Sequence, residues 1–183
     1  MPALIQPTTE RLRMRQWEPA DRDPFAALNF DDRVLEHLPR MSSRAESDAM
    51  ADRFASLIHE RGWGLWALEL KQSGQFIGFV GLHVPAPELP FSPAVEIGWR
   101  LAPDHWGKGL ASEAARQAIH VGFTQLDLRE IVSYTTLGNL RSQAVMKRLG
   151  MQKSDDFEHP RMPLGSPLRA HCLYRLRREG RDA

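Results

Sequence analysis

The chain holds a single cysteine, Cys172, among 183 residues. No internal disulfide can form and no second sulfur exists for a thiolate zinc site, which excludes a stapled secreted fold and a cysteine-held metal. The alternating neighbours of Cys172 put it at a packed strand position. An excess of one charge is also missing: 24 Lys and Arg stand against 23 Asp and Glu, a net charge of +1, so no global field draws in nucleic acid. Arg169, Arg175, Arg177, Arg178 and Arg181 do crowd the end, and a solvated edge strand with a frayed tail accounts for them. Nowhere does an apolar run approach a membrane span, and the opening MPALIQPTTERLRMR lacks the stretch a signal peptide needs. A cytoplasmic protein without a membrane partner is expected. No repeat, low-complexity tract or glycine-serine linker divides the chain, which predicts one domain over 1–183. Its 42% hydrophobic and 26% charged residues suffice for a substantial single core.

What is present is a change of period along the chain. Glu10 to Trp17 alternates polar and apolar residues, the pattern of a half-buried strand. Two helices follow. Ser43 and Glu46 can form a capping box at the start of the second, Met50, Phe54, Leu57 and Ile58 share one face, and Gly62 ends it. A hairpin is predicted from Leu65–Leu70, a turn at Ser73-Gly74, and Gln75–Leu82. The proline-rich His83–Pro90 reads as a loop. A strand over Ala94–Leu101 stops at Pro103, and a glycine-bearing turn leads into a helix over Leu110–Leu126 with Ala111, Ala115, Ala118, Ile119 and Gly122 as a close-packing face. A strand at Glu130–Thr136, a helix over Asn139–Leu149 stopped by Gly150, and strands at Met151–Phe157 and Leu168–Arg177 complete the series. Strands outnumber helices and come mostly in runs, so the class is mixed α/β (α+β) with a largely antiparallel sheet.

The chemistry is concentrated at Trp106-Gly107-Lys108-Gly109-Leu110-Ala111, between a predicted strand and a predicted helix. Unpaired N–H groups of a first helical turn make an anion site there. Gly107 and Gly109 let the backbone approach a phosphate without an intervening Cβ, and a pyrophosphate is the natural guest. On the glycines alone a plain strand-to-helix turn explains the segment better. The GxxxxGK[ST] loop and a GxGxxG opening the first strand-helix unit are both absent. The neighbours change the balance: Glu96 on the strand before, then Asn139-Leu140-Arg141-Ser142 and Leu149-Gly150-Met151 after.

Together these segments, from Val95-Glu96-Ile97-Gly98-Trp99 through the glycine turn and Ser112-Glu113-Ala114 to Met151, resemble the GNAT acetyltransferase superfamily. Within it the chain is most similar to the RimJ/RimL-like ribosomal-protein N-acetyltransferases, over about Thr9 to Arg177. The superfamily's phosphate motif is Q/R-x-x-G-x-G/A; Trp106 stands where Gln or Arg is usual, as is common in that branch. The resemblance implies a sheet of about seven strands, splayed between the fourth and fifth and flanked by about four helices. Acetyl-CoA would lie in the opening, its arm against the strand bearing Trp99 and Leu101, its pyrophosphate on the turn from Trp106 through Gly107, Lys108, Gly109 and Leu110 to Ala111, with Asn139 and Ser142 beside the sulfur. No metal is implied, the acceptor would be a protein amino terminus or a small amine, and a homodimer is compatible.

Acetyl transfer needs a neutral amine, a polarised thioester and a proton for the departing thiolate. At pH 7 an α-amino group is roughly 10–20% neutral and a lysine only about 0.04%, so the base matters less for an amino terminus. Glu96 is the candidate base, acting through water, because it sits on the strand that should border the thioester; an exposed strand carboxylate or a structural ion pair is the other reading. Ser142 could donate to the sulfur or simply cap its helix. The family often uses a tyrosine here, but Tyr134 and Tyr174 are the only two and neither is at the usual position. His171 either approaches the acceptor pocket or packs in its strand. Of Trp17, Trp63, Trp66, Phe79 and Phe91, two are expected to reach that pocket and the rest to be core. The loop Val84–Ser92 is the expected specificity element. A non-catalytic acetyl-CoA sensor of the same fold needs the turn without needing Glu96 or Ser142.

Overall fold

The computed structural model describes residues 2–178, and Arg181 lies outside them. Seven strands form one sheet in the order β1-β2-β3-β4-β5-β7-β6. They are β1 (Leu12–Arg15), β2 (Leu65–Leu70), β3 (Phe76–His83), β4 (Glu96–Leu101), β5 (Glu130–Thr136), β6 (Gln152–Glu158) and β7 (Ala170–Arg177). Every neighbouring pair is antiparallel except β4 and β5, which run parallel. Among the described residues there are five α-helices where four are expected: α1 (Arg22–Asn29), α2 (Asp32–Leu35), α3 (Arg44–Arg61), α4 (Leu110–Thr124) and α5 (Leu140–Arg148). The extra one arises because the Asp31 side chain accepts from the Arg33 amide and starts a new turn directly after α1.

Local signals explain the boundaries. Ser43 caps α3 through the Glu46 amide, but Glu46 folds back onto the amide and hydroxyl of Ser42 at 2.7 and 2.9 Å, one residue earlier than a capping box would place it. Gly62 ends α3 in the left-handed region at φ 83°. On one sheet face α1 and α3 bury Trp17, Phe25, Phe54, Phe76 and Phe79 as a cluster with ring centres 4.8–6.4 Å apart. Arg15 joins this layer to β1 and β2 by ion pairs to Asp21 at 2.8 Å and Glu69 at 2.7 Å. α4 covers the other face, where a Cβ on Gly122 would come within 2.8 Å of Ile131 on β5 and 3.1 Å of Leu82 on β3. The helix therefore spans the β4–β5 junction at close range. Among the described residues no helix is long and apolar enough to cross a membrane.

Candidate active site

β4 and β5 pair at one position, Glu96 with Val132. The Val132 amide donates to the Val95 carbonyl at 2.9 Å, the Ser133 hydroxyl to the Ile97 carbonyl at 2.9 Å, and beyond this point the strands part. The opening leads into one continuous cavity of about 1590 Å³, larger than a pocket for a single small ligand, which typically measures about 300–1,000 Å³. Gly98, Trp99, Leu101, Gly107, Gly109 and Ala111 line one end of it, and His83, Glu96, Tyr134, His159, Arg161 and His171 line the other.

At the first end a glycine turn leads into α4. Gly107 and Gly109 adopt φ 72° and 75°. The Gly107 Cβ position is open and that of Gly109 meets only Arg11 Nη2 at 3.7 Å, so backbone conformation rather than crowding calls for glycine here. Gly109 is the N-cap of α4 and makes no side-chain cap, leaving the first-turn amides facing the cavity. Arg11 fixes the turn by donating to the Lys108 carbonyl at 3.0 Å and pairing with Glu113 at 2.6 Å. Lys108 itself is exposed. Trp106 serves as a peg: its indole N–H donates to the Leu101 carbonyl at 2.8 Å, and the Arg141 guanidinium stacks 4.1 Å from its ring centre.

Asn139 and Ser142 divide their expected roles. Asn139 Oδ1 accepts from the Ser142 amide at 3.2 Å and its Nδ2 donates to Thr135 Oγ1 at 2.9 Å, so Asn139 is the helix cap and both ends of its amide are engaged. Ser142 is therefore not the cap, and its half-buried side chain lines the cavity.

At the far end Glu96 is 8% exposed, which removes the reading as an exposed strand carboxylate. Its Oε2 lies 2.8 Å from His83 Nε2, in register directly across β3–β4, yet that oxygen accepts no aligned hydrogen bond. Burial is the largest influence and disfavours a charged His83 ring, but the Glu96 charge and close contact together with the Val84 backbone outweigh it and hold the histidine above its ordinary pKa. Tyr134 faces the same carboxylate; burial raises its hydroxyl pKa and the Glu96 charge raises it further, so it stays protonated as a donor. His171 and His159 stack beside Tyr134 with ring centres 5.8 and 6.0 Å away, and burial lowers the pKa of both. His171 Nδ1 lies 3.1 Å from the Arg169 carbonyl, which fixes Nδ1 as the protonated nitrogen, whereas His159 Nδ1 accepts from the Arg161 amide at 3.2 Å. The two rings thus carry opposite tautomers.

Of the five aromatics singled out in the sequence, Trp63 and Phe79 line the cavity. Trp17 and Trp66 are core, with indole N–H groups on the Leu65 and Ile5 carbonyls, and Phe91 backs Tyr134 and Phe157 at 5.3 Å. Val84 to Pro87 line the cavity near Glu96, and Glu88 ties this loop to Arg161 at 2.5 Å. Cys172 is buried between β5 and β7. The arginines near the end are ion-paired: Arg169 with Glu158, Arg175 and Arg177 with Glu130, and Arg178 with Asp127. Sequence reasoning missed His83, His159 and Arg161, and it set Tyr134 aside. The available signal was parity: in the parallel register set by Glu96 and Val132, Tyr134 falls on the face of Glu96.

A seven-stranded sheet opened between two parallel central strands, with a glycine turn and helix start at one end of the gap, defines the acetyltransferase class of fold. The profile of the acetyltransferase (GNAT) domain matches residues 11–152. The chain is 30% identical to an uncharacterized N-acetyltransferase, YoaA, of Bacillus subtilis over 79% of this chain and 81% of that one. Its fold superposes on an acetyltransferase from Agrobacterium tumefaciens with TM-score 0.78 and 25% identity, covering 97% of each chain. RimL, a ribosomal L7/L12 α-N-protein acetyltransferase crystallised with coenzyme A, shares the fold with TM-score 0.75 at 17% identity, over 93% of this chain and 96% of that one. The chain belongs to the GNAT acetyltransferase family.

Proposed function

We infer that the protein transfers the acetyl group of acetyl-CoA directly to a primary amine, either a protein amino terminus, as in the RimJ/RimL-like branch, or a small molecule. The observation that carries this reading is the single-point pairing of β4 and β5, with the amide-rich turn at one end of the opening and a buried carboxylate at the other. These residues fit the cosubstrate: parted strands leave backbone groups for an amide-rich arm, and the Gly107–Ala111 amides suit a pyrophosphate. Bound there, acetyl-CoA supplies an activated thioester.

The rest is done by side chains. Glu96 accepts the proton that the ammonium group must lose, directly or through one water. His83, 2.8 Å away and partly exposed, stands between Glu96 and solvent and gives that proton a way out. The amine nitrogen forms its bond to the acetyl carbon as the carbon–sulfur bond breaks, Ser142 donates a hydrogen bond to the sulfur as negative charge develops, and the nitrogen gives its second proton to solvent while the thiolate takes one from solvent to leave as free thiol. Release of free thiol from acetyl-CoA, measured across panels of peptides and small amines, tests the reading. Coenzyme A binding without thiol release on any amine would overturn it in favour of a sensor.

A further inference from the structure

Arg100 lies on the same face of β4 as Glu96, two side chains further along, and lines the same cavity. It is held in place by neutral groups. One guanidinium nitrogen donates to Asn29 Oδ1 at 2.6 Å, Asn29 is itself buried against Ser47 Oγ at 2.9 Å, and the guanidinium carbon sits 5.4 Å from the Phe79 ring centre. Among the described residues no carboxylate offsets its enclosure, which lowers its pKa to about 10, so it is charged at neutral pH. Arg100 is half-buried, enclosed by protein except where it faces the deep cavity. A fixed charge with only neutral partners is costly unless the cavity receives an opposite charge. Two more arginines border this region: Arg53 of α3, whose charge acts on the His83 ring, and Arg161, held by Glu88.

Glu96 and Arg100 thus set opposite charges on one strand face, four residues apart, or about 13 Å between Cα atoms at 3.3 Å per residue. Their side chains turn to different partners, Glu96 to His83 of β3 and Arg100 to Asn29 of α1, so the amine and carboxylate of a free α-amino acid, which one carbon separates, do not span both. We propose that Arg100 is an anion receptor on the Glu96 face of β4, further along the cleft beside α1, and that the acceptor is a primary amine carrying a carboxylate several bonds from its nitrogen. The proposal rests on the acetyl-transfer reading for the role of the amine. Two sources share this chemistry: a protein amino terminus with an acidic side chain at its second or third position, and a free ω-amino acid.

The test uses matched twins, peptides with Glu or Gln at the second or third position and an ω-amino acid with its carboxamide, titrated calorimetrically into the protein saturated with CoA and assayed for thiol release with acetyl-CoA. Each carboxylate of the right source should bind about tenfold or more tightly than its carboxamide twin. Arg100→Gln should erase that difference, and Arg100→Lys should keep part of it. Equal binding of all twins to the wild type overturns the proposal, as does a preference that survives Arg100→Gln. Should Arg100→Gln not fold, because Asn29 loses its partner, the wild-type twins and Arg100→Lys decide. Tighter carboxylate binding without thiol release leaves the receptor standing and removes acetyl transfer; equal acetylation of both twins removes the receptor alone.

Discussion

The pair formed by His83 and Glu96 makes the acceptor end sensitive to pH at the level of single residues. Folding raises the pKa of His83 because the charge and contact of Glu96, with the Val84 backbone, together outweigh burial, the largest single influence. A histidine raised by folding adds stability that is complete below its ordinary value of about 6.5 and is lost as pH climbs through the folded value. Wild type should therefore melt further above His83→Gln as pH is lowered from about 8 toward 6, by scanning calorimetry; parallel curves would show that the pair does not contribute. The chemical roles separate in the same way. Glu96→Gln should slow turnover by about 10²–10⁴-fold at low pH and by less once pH passes the amine's own pKa, since the substrate then arrives neutral. Ser142→Ala should cost roughly 10- to 1000-fold in kcat at every pH with acetyl-CoA affinity little changed, because a bond to developing thiolate strengthens only in the transition state. A mutant with full activity has lost nothing the reaction uses.

For the elements, the turn before α4 is the sensitive place. Gly109 sits at φ 75° with space around its Cβ position. A β-branched residue there meets the left-handed backbone, at a cost of about 1–2 kcal/mol, as well as intruding toward the phosphates. Gly109→Val should lower thermal stability by that order and reduce CoA affinity by far more than the stability loss accounts for, as read by circular dichroism and calorimetric titration. Unchanged affinity in a folded mutant would make the turn purely structural. Most of these elements were legible in advance: the hairpin of β2 and β3, the start of α4 at Leu110 and the span of β5 all follow from period and punctuation. The helical region before β2 was less so, because α2 begins on a cap made by Asp31 inside what reads as one segment. The Ser43–Glu46 box was also read one residue out, since a carboxylate three residues into a helix can reach either of two preceding amides.

At the scale of the molecule, the cofactor end should report itself through stability. A ligand that binds only the folded chain adds about 2.7 kcal/mol at a hundred times its Kd, so CoA should raise the melting temperature, dephospho-CoA less and pantetheine least, as phosphate contacts are removed. A ladder in any other order would move the phosphates away from the α4 turn. The sequence by itself determined the class of fold and the glycine turn ahead of α4, because periodicity, glycine punctuation and helix starts are local and lie within a few residues of each other; the phosphate role of that turn came from family resemblance. Glu96 and Ser142 were legible only through family resemblance, and the sequence left open whether Ser142 capped its helix. The tertiary structure decided that Asn139 does so. It also decided what surrounds Glu96. His83 meets it through the β3–β4 register, Tyr134 through the β4–β5 register and His171 through the β5–β7 pairing, while α1 offers Arg100 the neutral Asn29. Such neighbours are brought together by pairing between distant segments, and no local pattern of residue types encodes which side chain will stand opposite which.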